Sequence, residues 1–190
     1  METIFNPLQI NSVDLLLVGG HSILSNIIKK VENCNYSHGA MFFRLDTDTN
    51  INGVLYPADL YVAEMIAAGL KLTPFSNYSN DNSCKLLILK PKFPVDSAAY
   101  WNHVMPEIDK IKYGYANLIC FQLVKFITNR RLWIGSDDNN PKRLICGEFC
   151  EYEINHFNKD YFMDWKRSSP DDIFNSDLFT QYEYKRELIP

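Results

Sequence analysis

Ser37-His38-Gly39-Ala40-Met41-Phe42-Phe43-Arg44 reads as a strand with Met41, Phe42 and Phe43 at its centre, opening on an imidazole. A histidine at the first position of a rigid strand is held in place, as a proton-transferring group must be. On the N-terminal side, Asp14-Leu15-Leu16-Leu17-Val18 is an apolar run closed by Gly19-Gly20, which suits a buried strand ending in a turn. Ser22 then caps a helix whose Ile23, Leu24, Ile27, Ile28 and Val31 fall at helical spacing on one face. On the C-terminal side, residues 46–53 form a polar hairpin loop, and residues 60–64 form the returning strand. That strand ends in Glu64, an acid closing the apolar Leu60-Tyr61-Val62-Ala63 run. Such an acid asks for a partner, and pairing with the His38 strand would let its carboxylate orient the imidazole. The alternative is an exposed strand-end acid. Residues 85–90 are a further buried strand ended by Pro91.

After Pro94 the character changes to helices, expected over residues 95–111 and 115–127, with a polar loop at residues 135–141. A third helix starts near Cys146, where Cys146, Phe149, Cys150, Ile154 and Phe157 form one apolar stripe. In the first turn of a helix, unpaired N–H groups and the helix dipole favour a thiolate, so Cys146 is the candidate nucleophile. The competing reading is a small core residue. Gly147 leaves room beside the sulfur for a carbonyl to approach backbone N–H groups as an oxyanion hole. Of the four histidines, His21 lies in a glycine turn and His103 and His156 lie in helical stretches, which leaves His38 as the candidate base; the competing reading is a structural strand histidine. Cys34, His38, Cys146 and Cys150 offer a Cys3His set, but the spacing departs from a zinc knuckle, so neither metal nor cofactor is assigned. Ser169-Pro170-Asp171-Asp172 is a helix start. Without repeats or a linker, the 190 residues form one domain, 1–190, with 46% hydrophobic residues to fill one core.

Charge narrows the partners. With 19 basic and 23 acidic residues, a formal charge of -4 and no basic cluster, the chain lacks the concentrated positive charge that nucleic acids and anionic membranes require. The longest apolar-rich run, residues 115–127, is interrupted by Asn117, Gln122 and Lys125 and is too short to span a bilayer, so no stable membrane insertion is expected. Five irregularly spaced cysteines do not form a disulfide framework. With no basic-then-apolar leader at the start, the expectation is a cytoplasmic protein; a phage-borne or lysis-released one has the same features. Oligomeric state is not encoded in any pattern found.

Taken together, Asp14-Leu15-Leu16-Leu17, Ser37-His38-Gly39-Ala40-Met41, Val62-Ala63-Glu64 with Gly69-Leu70, Cys146-Gly147-Glu148-Phe149 and Ser169-Pro170-Asp171-Asp172 resemble the circularly permuted NlpC-type papain-like cysteine peptidases, specifically the YiiX-like group. In that group the histidine precedes the cysteine, as His38, Glu64 and Cys146 do here. The resemblance implies an α+β fold, a permuted papain-like domain with a central antiparallel sheet packed on helices and the cysteine at a helix N-terminus. It also implies Cys146 as nucleophile, His38 as base and later acid, and Glu64 as orienting residue. Tyr113, Gly147 and Glu148 are carried over as substrate-binding residues, although Glu148 also suits a purely electrostatic role at the helix start. Two departures are Gly147, where the family often has serine, and Cys150, where it often has an aliphatic residue. The implied activity is hydrolysis of a peptide such as a cell-wall stem peptide, or of an N-acyl amino-acid conjugate. Acyl transfer by a lipid-acting relative and a non-catalytic binding or virion-type protein are the alternatives. Two aromatic stretches in polar surroundings, residues 74–78 and 161–165, are expected to supply a flank of the cleft.

Overall fold

Hydrophobic patterning and turn chemistry assign most elements locally, and the computed structural model, which describes residues 2–4, 6–113, 143–157 and 169–186, shows how they meet. The expected helix at 115–127, the loop at 135–141 and the aromatic stretch at 161–165 lie outside the described residues. Strands β1 (Glu2–Ile4) and β2 (Leu15–Gly19) are followed by helix α1 (Ile23–Glu32), then by β3 (His38–Leu45), β4 (Thr49–Ile51), β5 (Val54–Tyr56), β6 (Asp59–Ile66) and β7 (Gly69–Pro74). Next come the one-turn helix α2 (Ser76–Ser79), β8 (Lys85–Pro91), α3 (Ser97–Val104), the two-residue strands β9 (Lys112–Tyr113) and β10 (Arg143–Leu144), α4 (Cys146–Phe157), α5 (Pro170–Asn175) and β11 (Phe179–Tyr184). The main sheet has the order β1-β11-β8-β2-β3-β6-β7. Its pairs are antiparallel except β1 with β11, which is parallel. The protein is therefore an α+β fold built on a mostly antiparallel sheet.

Strand β2 runs between β3 and β8, and all five of its residues are buried. Successive side chains alternate faces, so a strand covered on both sides must be apolar throughout. On one face Leu15, Leu17, Met41, Phe43, Ala63 and Leu87 join Phe149 and Cys150 of α4. On the other, Leu16, Val18, Ala40, Phe42 and Val62 pack with Phe75 and Tyr184. Two cores thus share one sheet, and β3 contributes to both. Its Phe43 stacks on Trp101 of α3, with ring centroids 3.5 Å apart, while Phe42 meets Phe75 edge-on at 5.0 Å.

The molecule adds to the local pattern, or departs from it, at three places. The apolar face of α1 does not enter the core: Ser22 caps the helix as foreseen, through Ser25 N–H, but Ile23, Leu24 and Ile27 are exposed and Ile28 alone of the five is buried. Periodicity shows that a helix has an apolar face, not that a partner covers it. The helix expected over 95–111 is also shorter. Asp96 caps α3, which ends at Val104 and passes into a 3-10 turn at Met105–Glu107, because Pro106 has no N–H to continue the helical ladder. Asp109 then takes a positive φ of 69°, and its N–H donates to Leu70 O at 2.9 Å, which docks the connection onto β7. Finally, the hairpin loop at 46–53 and the residues that follow it form a ladder, β4 with β5, turning at Asn52-Gly53, both with positive φ, the signature of a tight hairpin.

The β6–β7 hairpin fixes the strand that carries Glu64, and it turns at Gly69, whose φ of +102° disfavours any side chain; a Cβ there would lie 2.3 Å from Ile111 O. Gly69→Ala is expected to cost about 2 kcal/mol, lowering the melting temperature by about 4–8 °C. A thermal melt superimposing on that of the wild type would contradict this account of the turn.

Candidate active site

His38 opens β3 and pairs with Val18, so the end of the sheet holds its backbone on one side. On the other side β3 pairs with β6, with Ala40 opposite Glu64. Cross-strand partners share a face, as do residues two apart along a strand, so the ladder sets the Glu64 carboxylate beside the His38 ring. His38 Nε2 lies 2.6 Å from Glu64 Oε2. Glu64 is almost fully buried, at 1% exposure, whereas 21% of the His38 side chain remains accessible. The ring's other face of chemistry is the sulfur: Cys146 and His38 share a side-chain hydrogen bond. With Nε2 committed to Glu64, Nδ1 is left to meet the thiol.

The helix start explains the placement of the sulfur. Leu144, two residues before it, pairs with Tyr113 in the short β9–β10 ladder, and Ile145 packs on Ile28. The carboxylate of Glu148 accepts from Ile145 N–H at 2.9 Å, fixing the first turn. Backbone N–H groups of Gly39 and Gly147 are directed to the Cys146 sulfur. Behind it, Phe149 and Cys150 are fully buried, so the stripe read from sequence is the face that docks α4 on β3.

Electrostatics follow from this packing. Burial opposes a charged imidazole, but hydrogen bonds from His38 to Cys146 and Glu64, and the charges of those two partners, raise its pKa to about 10. Burial likewise opposes a thiolate at Cys146, yet the hydrogen bond and charge of His38, with the Gly39 and Gly147 amides, lower its pKa. Glu64 is pushed up by burial and brought below the ordinary carboxylate range by His38, Thr73 and Tyr78. Each group thus favours the charged form of its neighbour.

Cys146 and His38 lie on a cleft of about 380 Å³, with Val18, Leu24, Ile28 and Ile66 as apolar wall and Ser22, Ser25, Ser37 and Tyr78 as polar lining. Tyr78 comes from the aromatic stretch at 74–78 expected to flank the cleft. Its neighbour Phe75 is instead core, at 2% exposure.

Comparison with known proteins bears on the fold. The chain superposes on the crystal structure of metalloprotein yiiX from Escherichia coli O157:H7, DUF1105, with a TM-score of 0.52 at 14% identity, covering 94% of this chain and 99% of that one. The fold is YiiX-like. No protein-family model matches the sequence, and no curated protein matches it.

The remaining sequence candidates divide. Gly147 adjoins the sulfur and supplies an amide to it. Glu148 points to Ile145 N–H, is buried at 3% exposure, and is absent from the cleft lining, so the structure places it in the capping role. Tyr113 has its backbone beside Leu144, two residues before the cysteine; its side chain lies outside the described residues. Among the described residues no three His, Cys, Asp or Glu side chains gather as a metal site, so Cys34, His38, Cys146 and Cys150 do not form a zinc set. No described helix is long and apolar enough to cross a membrane. What the sequence reading missed is the second partner of Glu64, the Tyr78 hydroxyl, which donates to Oε2 at 2.5 Å. Tyr78 stood within an aromatic stretch already singled out, but only the fold of the β7–α2 corner brings it to Glu64.

Glu148 gives a pH test. Burial raises its pKa from 4.5 to about 8. A carboxyl whose folded pKa is raised binds its proton more tightly in the folded state, so its contribution is complete below about pH 4.5 and is lost as pH rises to about 8. Glu148→Gln, which cannot ionise, should therefore gain stability relative to the wild type as pH increases across that window. Denaturant unfolding of both proteins at several pH values checks this; a difference independent of pH would count against it.

Proposed function

We propose that this chain is a cysteine-dependent amide hydrolase of permuted papain-like architecture. The observation carrying the reading is His38 bridging the Cys146 thiol and the buried Glu64 carboxylate, on a cleft that opens to solvent. The Cys146 thiolate adds to an amide carbonyl carbon, with backbone N–H groups at the start of α4 receiving the developing oxyanion. The C–N bond breaks as His38 gives its proton to the leaving amine. Water then adds to the thioester, His38 takes a proton from it, and cleavage of the S–C bond releases the carboxylic acid and restores the thiolate–imidazolium pair. The order of the residues, histidine first and cysteine on a late helix, supports a permuted arrangement, and a YiiX-like fold is compatible with it. Substrates of the right chemistry are peptides such as cell-wall stem peptides, or N-acyl amino-acid conjugates.

The cleft wall favours a second reading, acyl transfer from an apolar donor. Leu24 and Ile28 line the cleft, and Ile23, Leu24 and Ile27 are exposed on α1, which suits an aliphatic acyl group. The thioester intermediate is the same, and only the acceptor changes from water to an amine or alcohol. Incubation with phospholipid vesicles and an added amine should, if transfer prevails, give acylated amine in excess of free fatty acid by mass spectrometry; free fatty acid alone would leave hydrolysis ahead.

The thiol itself is the direct test. Iodoacetamide near neutral pH should modify Cys146 ahead of Cys34, Cys84 and Cys150, since burial raises the pKa of each of these three. His38→Ala should slow Cys146 labelling by about 10-fold or more, and Cys146→Ala should abolish the fast phase. Equal labelling of Cys146 in the wild type and His38→Ala, read at that residue by peptide mass spectrometry, would overturn the proposal.

A further inference from the structure

Glu64 Oε2 receives two short contacts, His38 Nε2 at 2.6 Å and the Tyr78 hydroxyl at 2.5 Å. Thr73 hydrogen-bonds the same carboxylate from β7. A buried carboxylate is tolerated only where donors replace the water it has lost, and bonds to the ionised form are the strong ones. Tyr78 is itself held. Phe75 anchors the start of α2 between Phe42 and Tyr184, with centroids at 5.0 and 5.3 Å, and its N–H donates to Leu60 O at 2.8 Å. From the far end of the chain, the Arg186 guanidinium donates to the carbonyls of Tyr78, Ser79, Asp81 and Cys84 at 2.6–3.1 Å. A guanidinium engaged with four carbonyls fixes the loop rather than the substrate. The phenol therefore meets Glu64 at a set angle and also lines the cleft.

We infer that Tyr78 is a positioning residue for the thiol–imidazole pair: its hydroxyl keeps Glu64 ionised and aimed at His38, and so sets the pH at which Cys146 becomes a thiolate. The inference rests on the hydrolase reading, in which His38 works on Cys146. The other titratable groups facing this cluster among the described residues include His21 and Cys84, on the same cleft as His38 and Tyr78, and Cys150, near Cys146. Glu148, on the same helix as Cys146, is engaged with Ile145 N–H. Lys71, opposite Glu64 across the β6–β7 ladder, is engaged by Asp109. Tyr78 is thus an uncharged donor to the same Glu64 oxygen that His38 contacts, with Thr73 as a further donor to the carboxylate.

The test is the pH dependence of Cys146 alkylation by iodoacetamide, followed by mass spectrometry in the wild type, Tyr78→Phe, Glu64→Gln and the double variant. Tyr78→Phe removes only the hydroxyl, and the midpoint for thiolate formation should rise by about 0.5–1 pH unit. In the Glu64→Gln background the same substitution should add no shift, because its route to His38 is gone. A Tyr78→Phe midpoint equal to the wild type, or an equal shift in both backgrounds, would overturn the inference. A wild-type midpoint near that of a free thiol, about 8.5, would remove the Cys146–His38 pair itself and the inference with it. A depressed wild-type midpoint that Tyr78→Phe leaves unchanged would overturn the role of Tyr78 alone. Carbon NMR of the Glu64 carboxyl supplies a readout that needs no Glu64 variant: Tyr78→Phe should move its titration upward, and an unmoved titration would likewise overturn the assignment.

Discussion

A thiol and an imidazole placed together exchange a proton usefully only if something stabilises the imidazolium that results, and in this protein that burden falls on one buried carboxylate. Glu64 is held at 1% exposure with His38 on one side and Tyr78 and Thr73 on others. Removing any charged member of the cluster leaves its neighbour buried and unmatched, a larger loss than the value of the contact itself. The charge state of Cys146 therefore depends on a carboxylate that reaches it through His38.

The rest of the molecule can be understood as the means of keeping these groups in register. A shift of one residue between β3 and β6 would turn Glu64 to the opposite face, away from the imidazole. Such a slip is opposed by two cores at once, since β3 sends Met41 and Phe43 into one and Ala40 and Phe42 into the other. The helix bearing Cys146 docks on the first core through Phe149 and Cys150, while the loop bearing Tyr78 docks on the second through Phe75. The centre thus forms where elements from the two faces meet at the end of the sheet, beside the first residue of β3.

How much of this was legible beforehand depended on whether the cause was local. The strand at His38, the cap at Ser22 and the helix start at Cys146 follow from patterns within a few residues of themselves, and each was read correctly to within about two positions. The pairing of His38 with Glu64 needed only the inference of a hairpin. Burial of α1 could not be read, because an apolar face at Ile23, Leu24 and Ile27 is the same whether or not anything covers it. The break at Pro106 is readable from proline's missing donor, although residues 95–111 taken as one stretch look helical. Strand β11 and its parallel partner β1 carry no strong alternating signal, and their place in the sheet arises from tertiary packing of Phe179 and Tyr184. Tyr78 meets Glu64 only through the path of the chain around the β7–α2 corner.

Nitrogen NMR of the His38 ring in the folded protein reads most directly whether it is an imidazolium held between a thiolate and a carboxylate. The account predicts both ring nitrogens protonated well above the ordinary histidine range of about 6.5, with that titration falling towards the ordinary range when Cys146 is replaced by serine. A His38 ring that titrates as a free histidine in the wild type, and does so unchanged in the Cys146→Ser variant, would contradict it.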